Sequence, residues 1–320
     1  MEHPVLYEYL ADPFVWNVGK EYFAIGTGRE EAERVDETAG WVFPLLHSRD
    51  LRHWERLGEA LERPDPALGD TYCAPEVAFR DGRYWMYYSV GFRDRAHQIR
   101  TASALEPQGP YRDTDENPLV APTDLPFAID PHPFRDVDGQ WYLFYARDFL
   151  DTEGGARVGT ALAADHLVRP DRVAGDPSTI LRARHDWQRF QSRRPRYSAV
   201  CDWHTLEGPC VTFHQGRYYC FYSAGHWENA SYGVDYAVAD HVLGPYSDAR
   251  NATGPRVLRT TPGKRIGPGH TSLFKGPNGH DYLAFHAWDP AQTGRRLFIE
   301  RLHWTHEGPR AESMRQLAVV

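Results

Sequence analysis

The sequence predicts an all-β chain built as a five-bladed β-propeller, and three observations predict it. A turn glycine followed by an aromatic-rich strand recurs five times: GKEYFAIGT from Gly19, GRYWMYYSV from Gly82, GQWYLFYAR from Gly139, GRYYCFYSA from Gly216 and GHDYLAFHA from Gly279. The intervals, 63, 57, 77 and 63 residues, are of the size expected for one blade per repeat. No helical periodicity of useful length interrupts the series. Units of three or four antiparallel strands cannot each bury a core alone, but arranged radially they bury one between neighbours.

Each element follows from this pattern. Asn17, Asp81, Asp138 and Asn278 stand at or near the residue before a repeat glycine, as tight hairpins prefer. A short strand precedes each glycine. A third follows each aromatic strand, over 43–48, 98–104, 157–163, 232–239 and 297–304. Turn-rich sequence such as Gly109-Pro110-Tyr111 and Gly244-Pro245-Tyr246 then leads to the next unit. The long interval contains an insertion around 185–197, rich in Arg, Gln and Ser, expected as a surface loop over one mouth of the propeller. Residues 1–320 are read as one such unit.

Composition narrows the function. Hydrophobic residues make up 41% of the chain and charged residues 25%, which is globular rather than disordered. The 10 Trp, 18 Tyr and 15 Phe suit pleated strands and equally suit sugar rings, whose C–H faces pack on aromatic walls. With a net charge of −8 and only Arg193–Arg194 and Arg196 clustered, a nucleic-acid partner is not expected, and these arginines read as a solvated loop. No run approaches the roughly 20 apolar residues of a membrane span. The first residues lack a basic, then apolar, leader, and Cys73, Cys201, Cys210 and Cys220 show neither zinc nor disulfide spacing. These features lead to the expectation of a cytoplasmic protein.

The polar residues that open each repeat carry the functional reading. Asp12 lies seven residues before Gly19; Asp130, Glu207 and His270 each lie nine before Gly139, Gly216 and Gly279; Glu76 lies six before Gly82. First strands of propeller blades line the axis, so these distant residues should converge on one mouth. Asp-Pro also marks ordinary turns, and this chain has five such pairs, but only Asp12 and Asp130 fall at the axial position. Three clustered carboxylates suit glycosidic bond hydrolysis, which needs one carboxyl protonated and another ionised. Like charges side by side push their pKa values apart and allow both states near neutral pH.

The ordered set Ala11-Asp12-Pro13, Ile129-Asp130-Pro131 and Leu206-Glu207-Gly208-Pro209 resembles glycoside hydrolase family 43 over nearly the whole chain. His47-Ser48-Arg49-Asp50-Leu51, Ala74-Pro75-Glu76 and Gly267-Pro268-Gly269-His270 add to the likeness. The resemblance implies a five-bladed propeller and an inverting mechanism. Asp12 would be the general base, Glu207 the general acid, and Asp130 the residue that orients the acid and tunes its pKa. It further implies an oligosaccharide substrate and no required cofactor, with His270 as a candidate ligand of a structural calcium near the central channel. Cys73, where relatives often carry Trp, and Thr271, where they often carry Asn, depart from the pattern inside the expected sugar pocket. Further substrate-binding candidates are Glu76, His270, Trp203 (with His204), His226 (with Trp227) and Arg296. The leading expectation is release of a terminal pentose, α-L-arabinofuranose ahead of β-xylose, from plant-cell-wall oligosaccharides. A glycan-binding propeller without catalysis is the non-enzymatic alternative.

Overall fold

The computed structural model describes residues 3–29, 40–248 and 253–317. Its strands fall into five units, antiparallel within each, and the third and fourth are joined into one sheet by two parallel residue pairs, Gly159–His204 and Thr160–Thr205. Blade I consists of β1 (Ala11–Val18), β2 (Glu21–Thr27), β3 (Trp41–Ser48) and β4 (Glu55–Glu62), paired in that order. Blade II has β5 (Thr71–Arg80), β6 (Arg83–Phe92) and β7 (Arg95–Ala104). Blade III has β8 (Ala128–Arg135), β9 (Trp141–Phe149) and β10 (Gly159–Arg169), with short β11 (Arg172–Val173) and β12 (Ser178–Leu181) on the edge of β10. In blade IV, β13 (Arg189–Arg196) pairs with the first part of the long β14 (Ala199–His214), which continues into β15 (Arg217–Ala224) and β16 (Gly233–Ala239). Blade V is β17 (Ile266–Lys275), β18 (Asp281–Trp288), β19 (Arg295–Thr305) and β20 (Gly308–Ala311).

The first strands pack around an axis: β1 against β5, β5 against β8, β8 against β14, β14 against β17, and β17 back against β1. The N-terminal segment reinforces closure, with Leu6 bridging Leu297 and Leu10 donating its N–H to the Arg295 carbonyl at 3.1 Å. The repeat glycines Gly19, Gly82, Gly139, Gly216 and Gly279 all have left-handed φ, between 64° and 87°, as the hairpin pattern requires.

Each hydrophobic cluster fills the space between two neighbouring blades. Tyr88 and Val77 of blade II meet Phe43 and Leu45 of blade I. Tyr87 meets Leu143 of blade III, and Phe144 and Leu162 meet Tyr222 of blade IV. Phe221 then meets Phe285 of blade V, and Ile299 meets Val15 of blade I. Burial is therefore shared between units, and among the described residues no blade has a core of its own.

The insertion departs from expectation. It is no loop: after a short 3-10 turn at Asp186–Gln188 it forms β13, which pairs with β14 from Arg189–His204 to Arg196–Ala199. Arg193 is exposed, as expected, but Arg194 and Arg196 are not solvated. The Arg194 and Arg196 side chains are 15% and 8% exposed, and both reach Asp94 at the β6–β7 turn of blade II. Arg196 also bonds the buried Asp148 at 2.6 Å and stacks over Phe127 and Trp203. The polar composition hid a strand because its arginines are paired with acids from other blades, which local sequence does not reveal.

Candidate active site

One backbone device recurs at the inner strand of every blade. A bulge falls between Ala11 and Phe14, Cys73 and Glu76, Ile129 and His132, Glu207 and Cys210, and Gly269 and Ser272. Each bulge contains a residue in the left-handed region: Asp12 (φ 46°), Ala74 (50°), Asp130 (59°), Gly208 (56°) and His270 (50°). Only glycine adopts that conformation without cost, and four non-glycine residues held there mark a backbone bent for a purpose.

This register corrects the equivalence drawn from the turn glycines. Asp12, Asp130 and His270 are true counterparts, but Glu207 precedes its blade's left-handed residue by one and Glu76 follows its own by two. The hairpins differ in length, so counting back from the turn slips. Glu207 still reaches the site with Asp12 and Asp130, because the bulge turns consecutive side chains toward the same mouth.

Asp12, Asp130, Glu207 and His270 line a single cleft of about 860 Å³ with Tyr9, Phe190, Trp227 and Trp288 in its walls. The Asp12 carboxylate accepts from Thr27 Oγ1 at 2.6 Å. Its Oδ1 lies 3.6 Å from the Arg295 guanidinium and 3.4 Å from His270 Nδ1. The Asp12 N–H donates to His286 Nδ1 at 3.0 Å. Glu207 Oε1 accepts from the buried Tyr232 hydroxyl at 2.7 Å. Asp130 Oδ2 accepts from the Gly208 N–H at 2.9 Å, one residue beyond Glu207.

These surroundings separate the carboxyls. Burial raises the cost of ionising Asp12, but the neighbouring His270, Arg295 and His286 outweigh it and hold the carboxyl well below the usual range. Burial pushes His286 down to about 4 and lowers His270, so Arg295 is the lasting positive charge beside Asp12 at neutral pH. Burial and the charge of Asp12 push Glu207 up to about 7, against the Tyr232 hydrogen bond. Burial, with Glu207 and Asp12 nearby, also raises Asp130. Asp130 and Glu207 therefore hold one proton between them near neutral pH, while Asp12 is ionised. Such a site can protonate one oxygen and deprotonate a water in the same cavity.

Of the remaining sequence candidates, Trp227 lies in the wall of the cleft as expected, and the others fall outside this lining. Glu76 is buried deeper in the channel and bonds His132 Nδ1 at 2.8 Å; His132 Nε2 accepts from the Val211 N–H, so the pair ties blades II, III and IV together. Trp203 is fully buried, donates to Thr160 Oγ1 at 3.3 Å, and carries the Arg194 and Arg196 guanidinium groups on its ring. His226 supports the wall from behind, stacked on Phe190 at 4.2 Å. Arg296 points away, paired with Asp289 Oδ2 at 2.9 Å, and it is Arg295 that enters the cleft. Side chains on a strand alternate between faces, so a motif match one residue out selects the wrong face. Tyr232, Arg194 and Arg295 were missed: nothing in their local sequence marks them, because their partners come from other blades.

Among the described residues no three His, Cys, Asp or Glu side chains converge as direct metal ligands. His270 offers a nitrogen where a hard cation wants six to eight oxygens, so these side chains do not form a calcium site by themselves.

A fold of five blades around a polar axial cleft, with carboxyls split between ionised and protonated states, defines a class of acid–base hydrolases. The particular family follows from comparison: the model for glycosyl hydrolases family 43 matches residues 1–309, and the chain belongs to that family as a glycoside hydrolase. It is similar to a β-D-galactofuranosidase from Aspergillus niger, 25% identical over 96% of this chain and 83% of the relative. It is also similar to an extracellular endo-α-(1→5)-L-arabinanase from Bacillus subtilis (26%, covering 94% and 87%) and a β-xylosidase from Xylanibacter ruminicola (25%, covering 94% and 95%). The crystal structure of a thermostable family-43 glycoside hydrolase superposes with a TM-score of 0.78 at 26% identity, covering 95% of this chain and 92% of that one. Among the described residues no helix is long and apolar enough to cross a membrane. The cytoplasmic expectation gains no support, since the Bacillus relative is named as extracellular.

Proposed function

We propose that this chain is an inverting, exo-acting glycosidase that releases a terminal α-L-arabinofuranose from plant-cell-wall oligosaccharides. The observation that carries the reading is the single cleft in which Asp12 is held ionised while Glu207 shares a proton with Asp130. Asp12 takes a proton from the attacking water, Glu207 donates one to the departing oxygen, and Asp130 orients the acid and keeps it protonated. One relative is named as a furanosidase and another as an L-arabinanase, which supports arabinofuranose. The Xylanibacter relative supports β-xylose as the second reading.

A panel of 4-nitrophenyl glycosides tests the class. Release is expected from the α-L-arabinofuranoside, with the product anomer inverted by NMR; absence of release from every pentoside overturns the reading. The active form carries one proton on the Asp130–Glu207 pair, so kcat/KM is expected to fall as pH rises through about 7 and Glu207 loses its proton. The acid limb follows the pair's first ionisation rather than Asp12, whose pKa lies far lower. A profile flat from pH 6 to 9 contradicts these roles.

Exo action is supported by the β13–β14 hairpin. Phe190 and Arg194 wall the cleft, and Arg194 anchors to Asp94 of blade II at 2.9 Å, spanning from blade IV past blade III. A polymer running across the mouth meets this wall. Linear arabino-oligosaccharides are expected to yield monosaccharide from the first time points, and early dimers and trimers without monosaccharide point to internal cleavage instead.

A further inference from the structure

The five bulges share a hydrogen bond whose one exception falls on the catalytic carboxylate. In four blades the left-handed residue donates its N–H to a side chain on the second strand of the preceding blade. Ala74 donates to Thr27 Oγ1 at 2.9 Å, Asp130 to Ser89 Oγ at 2.9 Å, His270 to Ser223 Oγ at 2.7 Å and Asp12 to His286 Nδ1 at 3.0 Å. Strand register makes these acceptors equivalent: Thr27 faces Ala11, Ser89 faces Cys73, Ser223 faces Glu207 and His286 faces Gly269. The fifth member is Ala146, opposite Ile129 in blade III. It has no acceptor, and it is fully buried. A buried N–H seldom goes unpaired, and Gly208 finds its partner in Asp130 Oδ2 at 2.9 Å.

We propose that Ala146 is a positioning residue: by lacking a side-chain acceptor it leaves the Gly208 N–H to hold the Asp130 carboxylate beside Glu207. A serine there, like Ser89 and Ser223 in their blades, satisfies Gly208 itself and releases the carboxylate. The bond favours the ionised form of Asp130 and so draws the shared proton toward Glu207. The consequence for turnover rests on the acid–base roles above; the hydrogen bond itself does not.

The test is Ala146→Ser, with Ala146→Gly as the variant that keeps the gap open. Ala146→Ser is expected to lower kcat/KM about tenfold and to move the acid limb of the pH profile up by about one unit, the size of one lost hydrogen bond to a charged group. Ala146→Gly is expected to retain the wild-type profile. Superimposable profiles for Ala146→Ser and wild type overturn the proposal. A readout independent of turnover and of the variants' folding is the Gly208 amide signal in the NMR spectrum of the wild-type protein. Its proton shift is expected to follow the Asp130 carboxyl titration and to lose that dependence in Asp130→Asn. A Gly208 amide that ignores the titration also overturns the proposal. Wild-type protein inactive on every pentoside, with a Gly208 amide that does titrate, sinks the functional reading and leaves this one standing.

Discussion

Glu207→Ala is expected to lose on the order of 10²–10⁴ in kcat on natural oligosaccharides, the range for removing a positioned general acid, yet less than about tenfold on substrates whose leaving group needs no proton. Asp12→Ala is expected to lose a similar factor on both kinds of substrate, because an activated leaving group does nothing for an unactivated water. The asymmetry follows from the two environments. Glu207 is a carboxyl raised to about 7 by burial and the charge of Asp12, so it can hold a proton up to neutral pH. Asp12 sits 3.6 Å from Arg295 and accepts from Thr27, and is ionised throughout the working range. Kinetics on arabino-oligosaccharides and on 2,4-dinitrophenyl pentosides check it; equal losses for both variants on both kinds of substrate refute the assignment.

The second large effect concerns the wall of the cleft. Asp148 is fully buried and accepts from Thr160 Oγ1 at 2.8 Å, the Tyr197 hydroxyl at 2.9 Å and the Arg196 guanidinium at 2.6 and 2.9 Å. Removing it strands Arg196 against Phe127 and Trp203 without its main counter-charge. Asp148→Ala is therefore expected to cost about 3–5 kcal/mol of stability, the range for breaking a buried ion pair from one side. Because β13 also carries Phe190 and Arg194 into the cleft, KM for oligosaccharides should rise more than KM for a small aryl pentoside. Denaturant unfolding and paired KM measurements check both parts. An unchanged midpoint, or equal KM shifts for long and short substrates, contradicts the link between the hairpin and the substrate.

The legible part of this molecule is its periodic part. Gly19, Gly82, Gly139, Gly216 and Gly279 take the left-handed turn conformations their spacing announced, and each is followed by an aromatic strand packed between blades. Asp12, Asp130, Glu207 and His270 meet in one cleft because each sits at the bulge of a first strand in a closed ring. The less legible part is whatever depends on a one-residue register or on a partner from another blade. Arg296 was favoured where Arg295 enters the cleft. Trp203 looked like a pocket wall, yet it is the floor on which two arginines of the insertion lie. Those arginines looked solvated because Asp94 and Asp148 stand about 50 to 100 positions away.

By itself, then, the sequence determined the five-fold plan and the identity of the carboxyls, since turn chemistry, strand pattern and repeat position are properties of short segments. Only the tertiary structure decided which carboxyl is ionised, which arginine faces the site and what encloses it. Those outcomes are set by burial and by charges a few ångströms away in space, and the residues that supply them arrive from neighbouring blades only when the ring has closed.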